Sequence, residues 1–326
     1  MNKKSRSIFT TIMLIITIYT LMVTAGLWAI TNRILGILDD SVSTISYETN
    51  EIQEVIDSTK NEAQGANNST TNERQGVNSS VKTDIDNSIY VTNPFDDSEL
   101  LNSATDVYYG VYFFDNGMYY SSNNSNKTPS ASVIKVFIMY YLFSQIDSGI
   151  LSADDIINGE SIDKLIKDMI QKSDNTAANI LIDKYGMNEI NTFVQAEGYN
   201  DTVLERKMLD YDAMANGLDN YTSVNDTIKF LKLLYSKQLE YPYNEMLEIM
   251  KGQTIKTKIP ALLPSQAVVA NKTGEIDGVE NDIGIVFGER KDFAIAVLTN
   301  QSKGSGITQE AISKFAKEVY DYANSH

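Results

Sequence analysis

The chain has no cysteine and a single histidine. Without cysteine there is no disulfide, no thiolate zinc site and no thiol nucleophile. The one histidine is His326, the last residue. That removes a Ser–His–Asp relay and a histidine-ligated metal together, and no metal or cofactor is expected. Proton transfer is left to Lys, Glu, Asp or Tyr. Positive charge is also scarce: 27 Lys and Arg stand against 43 Asp and Glu, a net charge of −16 over 326 residues. The first 36 residues hold Lys3, Lys4, Arg6 and Arg33 and no acid, which leaves −20 on the rest. Such a body repels nucleic-acid phosphates. It offers an anionic substrate no long-range steering, so binding of one must rely on local lysines and hydroxyls.

The length leaves room for one large domain plus extras. What precedes that domain starts with an apolar run, Ile8 to Ile30, long enough to cross a bilayer. Three cations come before it and only Arg33 follows closely. The expectation is a cytoplasmic tail over 1–7, a single-pass signal anchor over 8–30, and the bulk of the chain outside the cytoplasm at the cell membrane. Val23-Thr24-Ala25 offers the alternative, secretion after cleavage near Ala25, although Leu27 to Ile30 continue the apolar run. Residues 31–104 read as a juxtamembrane helix and a disordered stalk. Leu38, Val42, Ile45, Ile52 and Ile56 recur at helical steps, and the Asn/Ser/Thr-rich stretch after them cannot bury enough to order itself.

Residues 105–326 have a globular texture. Two aromatic-rich runs flank Asn116-Gly117, a hairpin signal. A helix apolar all round follows Ser132, and SIDKLIKDMIQK, NTAANILIDKYG and MNEINTFVQAEG carry helical stripes. Thr202 to Tyr221 reads as a long polar surface loop, a kind that tends to be functional. Two more helices, three β-like runs and a last helix close the chain. The pattern is α+β: a mostly antiparallel sheet packed with helices, plus an all-helical part.

Lys135 is the odd residue in this pattern, one cation in the oily run VIKVFIMYYLF. A lysine there loses hydration, and that costs free energy unless a partner or a purpose offsets it. Ser132-Val133-Ile134-Lys135 is Ser-x-x-Lys. The same spacing recurs at Ser79…Lys82 and Ser161…Lys164, but only Ser132 begins a fully apolar helix. Its hydroxyl faces Lys135 one turn on, the helix start favours negative charge, and a desolvated lysine can be neutral enough to take a proton. The plain alternative is an N-cap serine beside a lysine that snorkels out or pairs with an acid. Ser173-Asp174-Asn175 interrupts two amphipathic helices, either to point polar groups into a cleft or simply to cap the second helix. Lys272-Thr273-Gly274 ends a strand, either to receive a substrate or as a solvated strand end.

Together and in this order, Ser-x-x-Lys, Ser-Asp-Asn and Lys-Thr-Gly are the motif set of class A β-lactamases and penicillin-binding proteins. Residues 106–323 resemble that superfamily, and the class A type most. GVYFFDNG, LIKDMIQKSDNTAANILI and KTGEIDGVENDIGIVFG read like its segments. The resemblance implies a β-lactamase/transpeptidase-like fold and a small-molecule β-lactam or a peptidoglycan peptide as partner. It implies Ser132 as the acylated nucleophile, Lys135 as its base or relay, and Ser173 as proton donor to the departing nitrogen. Asn175 would hold Lys135 and the substrate side chain, and Lys272 and Thr273 would meet a substrate carboxylate. Gly274 would allow close approach, and the backbone N–H groups of Ser132 and Glu275 would form an oxyanion hole.

Three departures stand against this pattern. Aligning Leu204-Glu205-Arg206 with the family's leucine-acid-arginine puts Met208 where the class A type carries the glutamate that activates water for deacylation. Glu205, Asp210 or Asp212 could substitute if the loop is rearranged, Glu205 being the candidate base; the alternative for Glu205 is a loop-tethering ion pair with Arg206 or another arginine. The segment from Ser132 to Ser173 is shorter than the family norm. A basic residue expected on the strand after Lys-Thr-Gly is absent, and Glu280 lies in that region. A cell-wall peptidase acting on D-Ala-D-Ala-like peptides, or a sensor that stays acylated, therefore remains open beside a hydrolysing enzyme.

Overall fold

The structure, a computed structural model, describes residues 89–90, 93–122 and 126–325. The apolar run 8–30, the juxtamembrane pattern and the Asn/Ser/Thr-rich stretch lie outside the described residues. Among the described residues no helix is long and apolar enough to cross a membrane.

The described chain runs from β1 (Ile89–Tyr90) through a short helix, α1 (Ser98–Asn102), into the hairpin read from sequence. Its strands are β2 (Ala104–Phe113) and β3 (Met118–Ser121), antiparallel, with Gly117 at φ +71° in the turn. Next come β4 (Thr128–Pro129), a 3₁₀ turn (Ala131–Ile134) and the apolar helix α2 (Lys135–Asp147). A small hairpin, β5 (Ile156–Ile157) and β6 (Glu160–Ser161), leads to three helices: α3 (Ile162–Gln171), α4 (Asn175–Tyr185) and α5 (Met187–Ala196). The loop after α5 contains α6 (Tyr211–Ala215) and ends on β7 (Tyr221–Thr222), which pairs with β4. Helices α7 (Val224–Ser236) and α8 (Tyr243–Lys251) precede β8 (Val268–Ile276), β9 (Val279–Phe287) and β10 (Phe293–Ser302). Helix α9 (Ser305–Ser325) follows.

Local chemistry sets several of these boundaries. Ser161 caps α3 by accepting from Lys164 N, so that Ser-x-x-Lys is an ordinary cap. Asp174 caps α4 by accepting from Ala177 N, and Gly186 at φ +87° ends it. Ser223 caps α7 through Asp226 N.

The main sheet has the order β1-β3-β2-β10-β9-β8, antiparallel except where β1 meets β3. Strand β10 lies between β2 and β9 and is apolar on both faces, as a strand covered on both sides must be. Phe293, Ile295 and Val297 pack with Leu100 of α1 and Phe315 of α9. Ala294, Ala296 and Leu298 face the helical part, where α2 is buried all round from Lys135 to Phe143 and Phe137 meets Tyr199 and Phe230. Each fully buried Leu, Ile or Phe here contributes about 1.5–3 kcal/mol.

Two sequence expectations change. The packed domain begins upstream of residue 105: Phe95 and Leu100 are buried, and the Phe95 ring sits edge-on to Phe315 at 5.9 Å. Both are isolated apolar residues in a polar run, with no period to reveal them. Residues 202–221, read as a surface loop, are anchored inward, with Thr202, Arg206 and Asn220 buried. The Asn220 side-chain carbonyl accepts from both Glu205 N and Arg206 N.

Candidate active site

The site starts at the 3₁₀ turn. In a 3₁₀ helix the side chains at i and i+3 eclipse, so Ser132 and Lys135 project to the same side. Lys135 N–H donates to Ser132 O, closing the turn. Ala131 holds φ +46°, an αL conformation unusual for a residue with a side chain and found where a site constrains the backbone. Lys135 is completely buried although it begins α2. It does not snorkel, and it pairs with no carboxylate.

Its partners come from the break between α3 and α4. Lys135 Nζ donates to Ser173 O at 2.7 Å, to Asn175 Oδ1 at 2.8 Å and to Ser173 Oγ at 3.4 Å. Ser173 is itself at φ +56°, the second left-handed residue of the site. Lys272 Nζ reaches the same hydroxyl at 2.9 Å and Thr273 O at 2.6 Å. The Ser173 oxygen thus lies between two amines. A hydroxyl that accepts from both keeps its own O–H free to donate elsewhere.

Burial sets the charge of these amines. Desolvation brings the Lys135 ammonium down to about 7, against the attraction of Asp174, which raises it. Burial likewise lowers Lys272, helped by the charge of Lys135 and opposed by Asp282. Burial thus weakens the hold of both amines on their protons.

Strand β8 ends the order of the main sheet and lies against the 3₁₀ turn. A Cβ at Gly274 would stand 2.8 Å from Ser130 O and 3.1 Å from Val133 N, so only glycine lets the strand come this close. Thr273 and Lys272 are buried beside it, and Glu275 is the next residue of the strand. The fold therefore gathers Ser132, Lys135, Ser173, Asn175, Lys272, Thr273, Gly274 and Glu275. Among the described residues no group of three His, Cys, Asp or Glu could hold a metal ion.

Glu205 is not drawn into this cluster: no hydrogen bond or ion pair joins it to Ser132, Lys135 or Ser173. Nor does it tether the loop through Arg206, because Arg206 Nη2 pairs with Asp219 at 2.7 Å. Met208 is buried and pinned from both sides by Asn179, which accepts from Met208 N at 2.8 Å and donates to Met208 O at 3.0 Å. Asn179 escaped the sequence reading. Its one signal was its place a single turn after Asn175 on α4. Lys258 and Asp282, both buried beside β8, had no signal at all.

A buried Ser-x-x-Lys helix start, a Ser-Asp-Asn turn and a Lys-Thr-Gly edge strand on an α+β frame define a penicillin-recognising serine hydrolase fold of the β-lactamase type. The model of the β-lactamase enzyme family matches residues 97–323, and the chain belongs to that family. An imipenem-hydrolysing β-lactamase of Enterobacter cloacae is 26% identical over 253 residues, covering 68% of this chain and 87% of that protein. Among solved structures, a β-lactamase from Chitinophaga pinensis superposes with a TM-score of 0.64 at 24% identity, covering 69% of this chain and 97% of that one. A mutant of PBP-A, an acyl-enzyme complex with penicillin G, gives 0.64 at 22% identity, covering 71% and 96%. The two structures support the fold, and the family makes the chain a serine hydrolase of the β-lactamase type.

Proposed function

We propose that the chain is a membrane-anchored, extracytoplasmic hydrolase that is acylated on Ser132 by a β-lactam or a related amide and then hydrolysed slowly. Neutral Lys135 takes the Ser132 proton as Oγ bonds to the carbonyl carbon. The backbone N–H groups of Ser132 and Glu275 receive the oxyanion, each worth about 3 kcal/mol. The C–N bond breaks, and the proton passes by way of Ser173 to the departing nitrogen. Lys272 and Thr273 meet the substrate carboxylate, and Asn175 holds Lys135 and the substrate side chain. Water then cleaves the acyl ester. The observation that carries this reading is the buried Lys135 amine bonded to Ser173 and Asn175, with Lys272 on the same hydroxyl. The membrane anchor rests on the apolar run 8–30 and the cations before it.

Mass spectrometry of the chain with a penicillin over time tests it. The expected result is a gain of one penicillin mass on the peptide holding Ser132, followed by its loss with release of the ring-opened acid. No adduct and no hydrolysis would overturn the reading. An adduct that persists selects a β-lactam sensor, and release of D-Ala from a peptide selects a cell-wall peptidase. The buried Met208 at the deacylation position favours these two alternatives.

The acylation rate should also follow Lys135. Below its value of about 7 the amine is an ammonium with no lone pair for a proton; above it the base is free. The rate constant for adduct formation is expected to rise through pH about 7 and then level off. A profile flat from pH 5 to 9 would remove Lys135 from the role of base.

A further inference from the structure

The long loop after α5 runs back along α4 toward the site. Asn191 of α5 holds its beginning, accepting from Leu204 N at 2.8 Å and donating to Leu204 O at 2.9 Å. Lys207 Nζ then pairs with Asp183 at 2.5 Å, and Met208 N and O pair with the Asn179 side chain. Asp183 and Asn179 lie one turn apart on one face of α4. One turn further toward the start of that face is Asn175, which bonds Lys135. The next residue of the loop is Leu209.

Leu209 combines two properties that rarely go together. Its φ is +61°, the left-handed region that a residue with a bulky side chain seldom enters. Its side chain is 54% exposed, although Met208 before it is buried. A lone exposed leucine is ordinary. A leucine held exposed in a disfavoured conformation is not, because such strain persists only where the surroundings impose it. Asn179 fixes the residue before it. Asp210 after it caps α6 by accepting from Ala213 N at 3.0 Å, which turns the chain away from α4. Leu209 is therefore the last residue of the run along α4, on the side of Asn175.

We propose that Leu209 is a specificity-determining residue: it is an apolar wall for the acyl side chain, and Ser132 is acylated faster by donors whose acyl group ends in a hydrocarbon or aromatic ring than by donors with a small or polar end. This rests on the acyl-transfer reading of Ser132, in which Asn175 holds the substrate side chain. A side chain held at the start of α4 extends toward Leu209. An apolar end that covers the leucine takes apolar surface of both partners out of water. A polar end gives up hydration there with no hydrogen bond from the leucine in return. The contact of the substrate carboxylate with Lys272 and Thr273 is made on β8 and does not involve this loop.

The test measures adduct formation on Ser132 with two penicillins of the same nucleus and side-chain amide, one phenylacetylated and the other acetylated. The second-order rate constant should be higher for the phenylacetyl compound. Leu209→Asn should lower the ratio of the two rate constants about tenfold, the low end of what an apolar contact is worth in a pocket, and Leu209→Met should keep it within about twofold. Asn and Gly both accept a left-handed backbone, so Leu209→Gly gives the same comparison if Leu209→Asn fails to fold. A residue that only shapes the loop would change both rate constants together and leave their ratio intact. That outcome, or equal wild-type rate constants for the two compounds, overturns the proposal. If neither penicillin acylates Ser132, the hydrolase reading falls and takes this inference with it.

Discussion

Ser132→Ala is expected to abolish covalent labelling of the chain by a fluorescent penicillin. The substitution removes the hydroxyl that the eclipsed 3₁₀ geometry projects to the same side as Lys135. Ser173, the nearest rival, is already bonded to two lysines. Losing a covalent nucleophile costs on the order of 10³-fold or more in rate, which takes labelling below detection. Folding should be nearly untouched. Ser132 Oγ has no hydrogen-bond partner among the described residues, and changes at such positions stay within about 0.5 kcal/mol. Gel fluorescence and an unfolding midpoint measured on the same sample separate the two effects. Unchanged labelling with an intact fold would show that the acylated group is not Ser132.

Met208→Glu is expected to shorten the life of a penicillin adduct by on the order of 10²-fold, the range a positioned general base supplies. Asn179 pins the backbone at position 208 through both its N–H and its C=O. The new carboxyl would therefore sit on a backbone tied to α4, the helix whose first residue bonds Lys135. Met208 is only 6% exposed. A carboxylate there loses hydration, so its pKa rises toward neutrality, which suits a base working near pH 7. The same desolvation costs some stability, and a lower unfolding midpoint should accompany the gain. The decay of the adduct followed by mass spectrometry is the readout. If its half-life does not change, then the loop geometry, and not the missing carboxylate alone, sets the deacylation rate.

Much of the fold could be read from local pattern. The hairpin around Asn116-Gly117, the stripes of α3 and α5 and the stop at Gly186 depend on spacing and on glycine's freedom at positive φ, which a sequence displays directly. The edge of the domain did not appear, because Phe95 and Leu100 are single apolar residues with no period. The site divided in the same way. Its three motifs were visible, and the apolar helix told the working Ser-x-x-Lys from the cap at Ser161. Asn179, Lys258 and Asp282 were not, since each acts through a partner far along the chain. Glu205 is a neighbour of Arg206 in sequence only, because Arg206 pairs with Asp219.

By itself the sequence determined which chemistry is excluded, the order of the elements and the residues able to carry acyl transfer. These depend on residue identity and on periods of two and 3.6, which are local properties. The tertiary structure decided that Lys135 loses its hydration, that two amines meet on one hydroxyl across 38 and 99 residues of chain, and that Lys258 is spent on glutamates. Burial and charge act through space, so the protonation of a lysine and the partner it chooses are settled only when distant segments pack together.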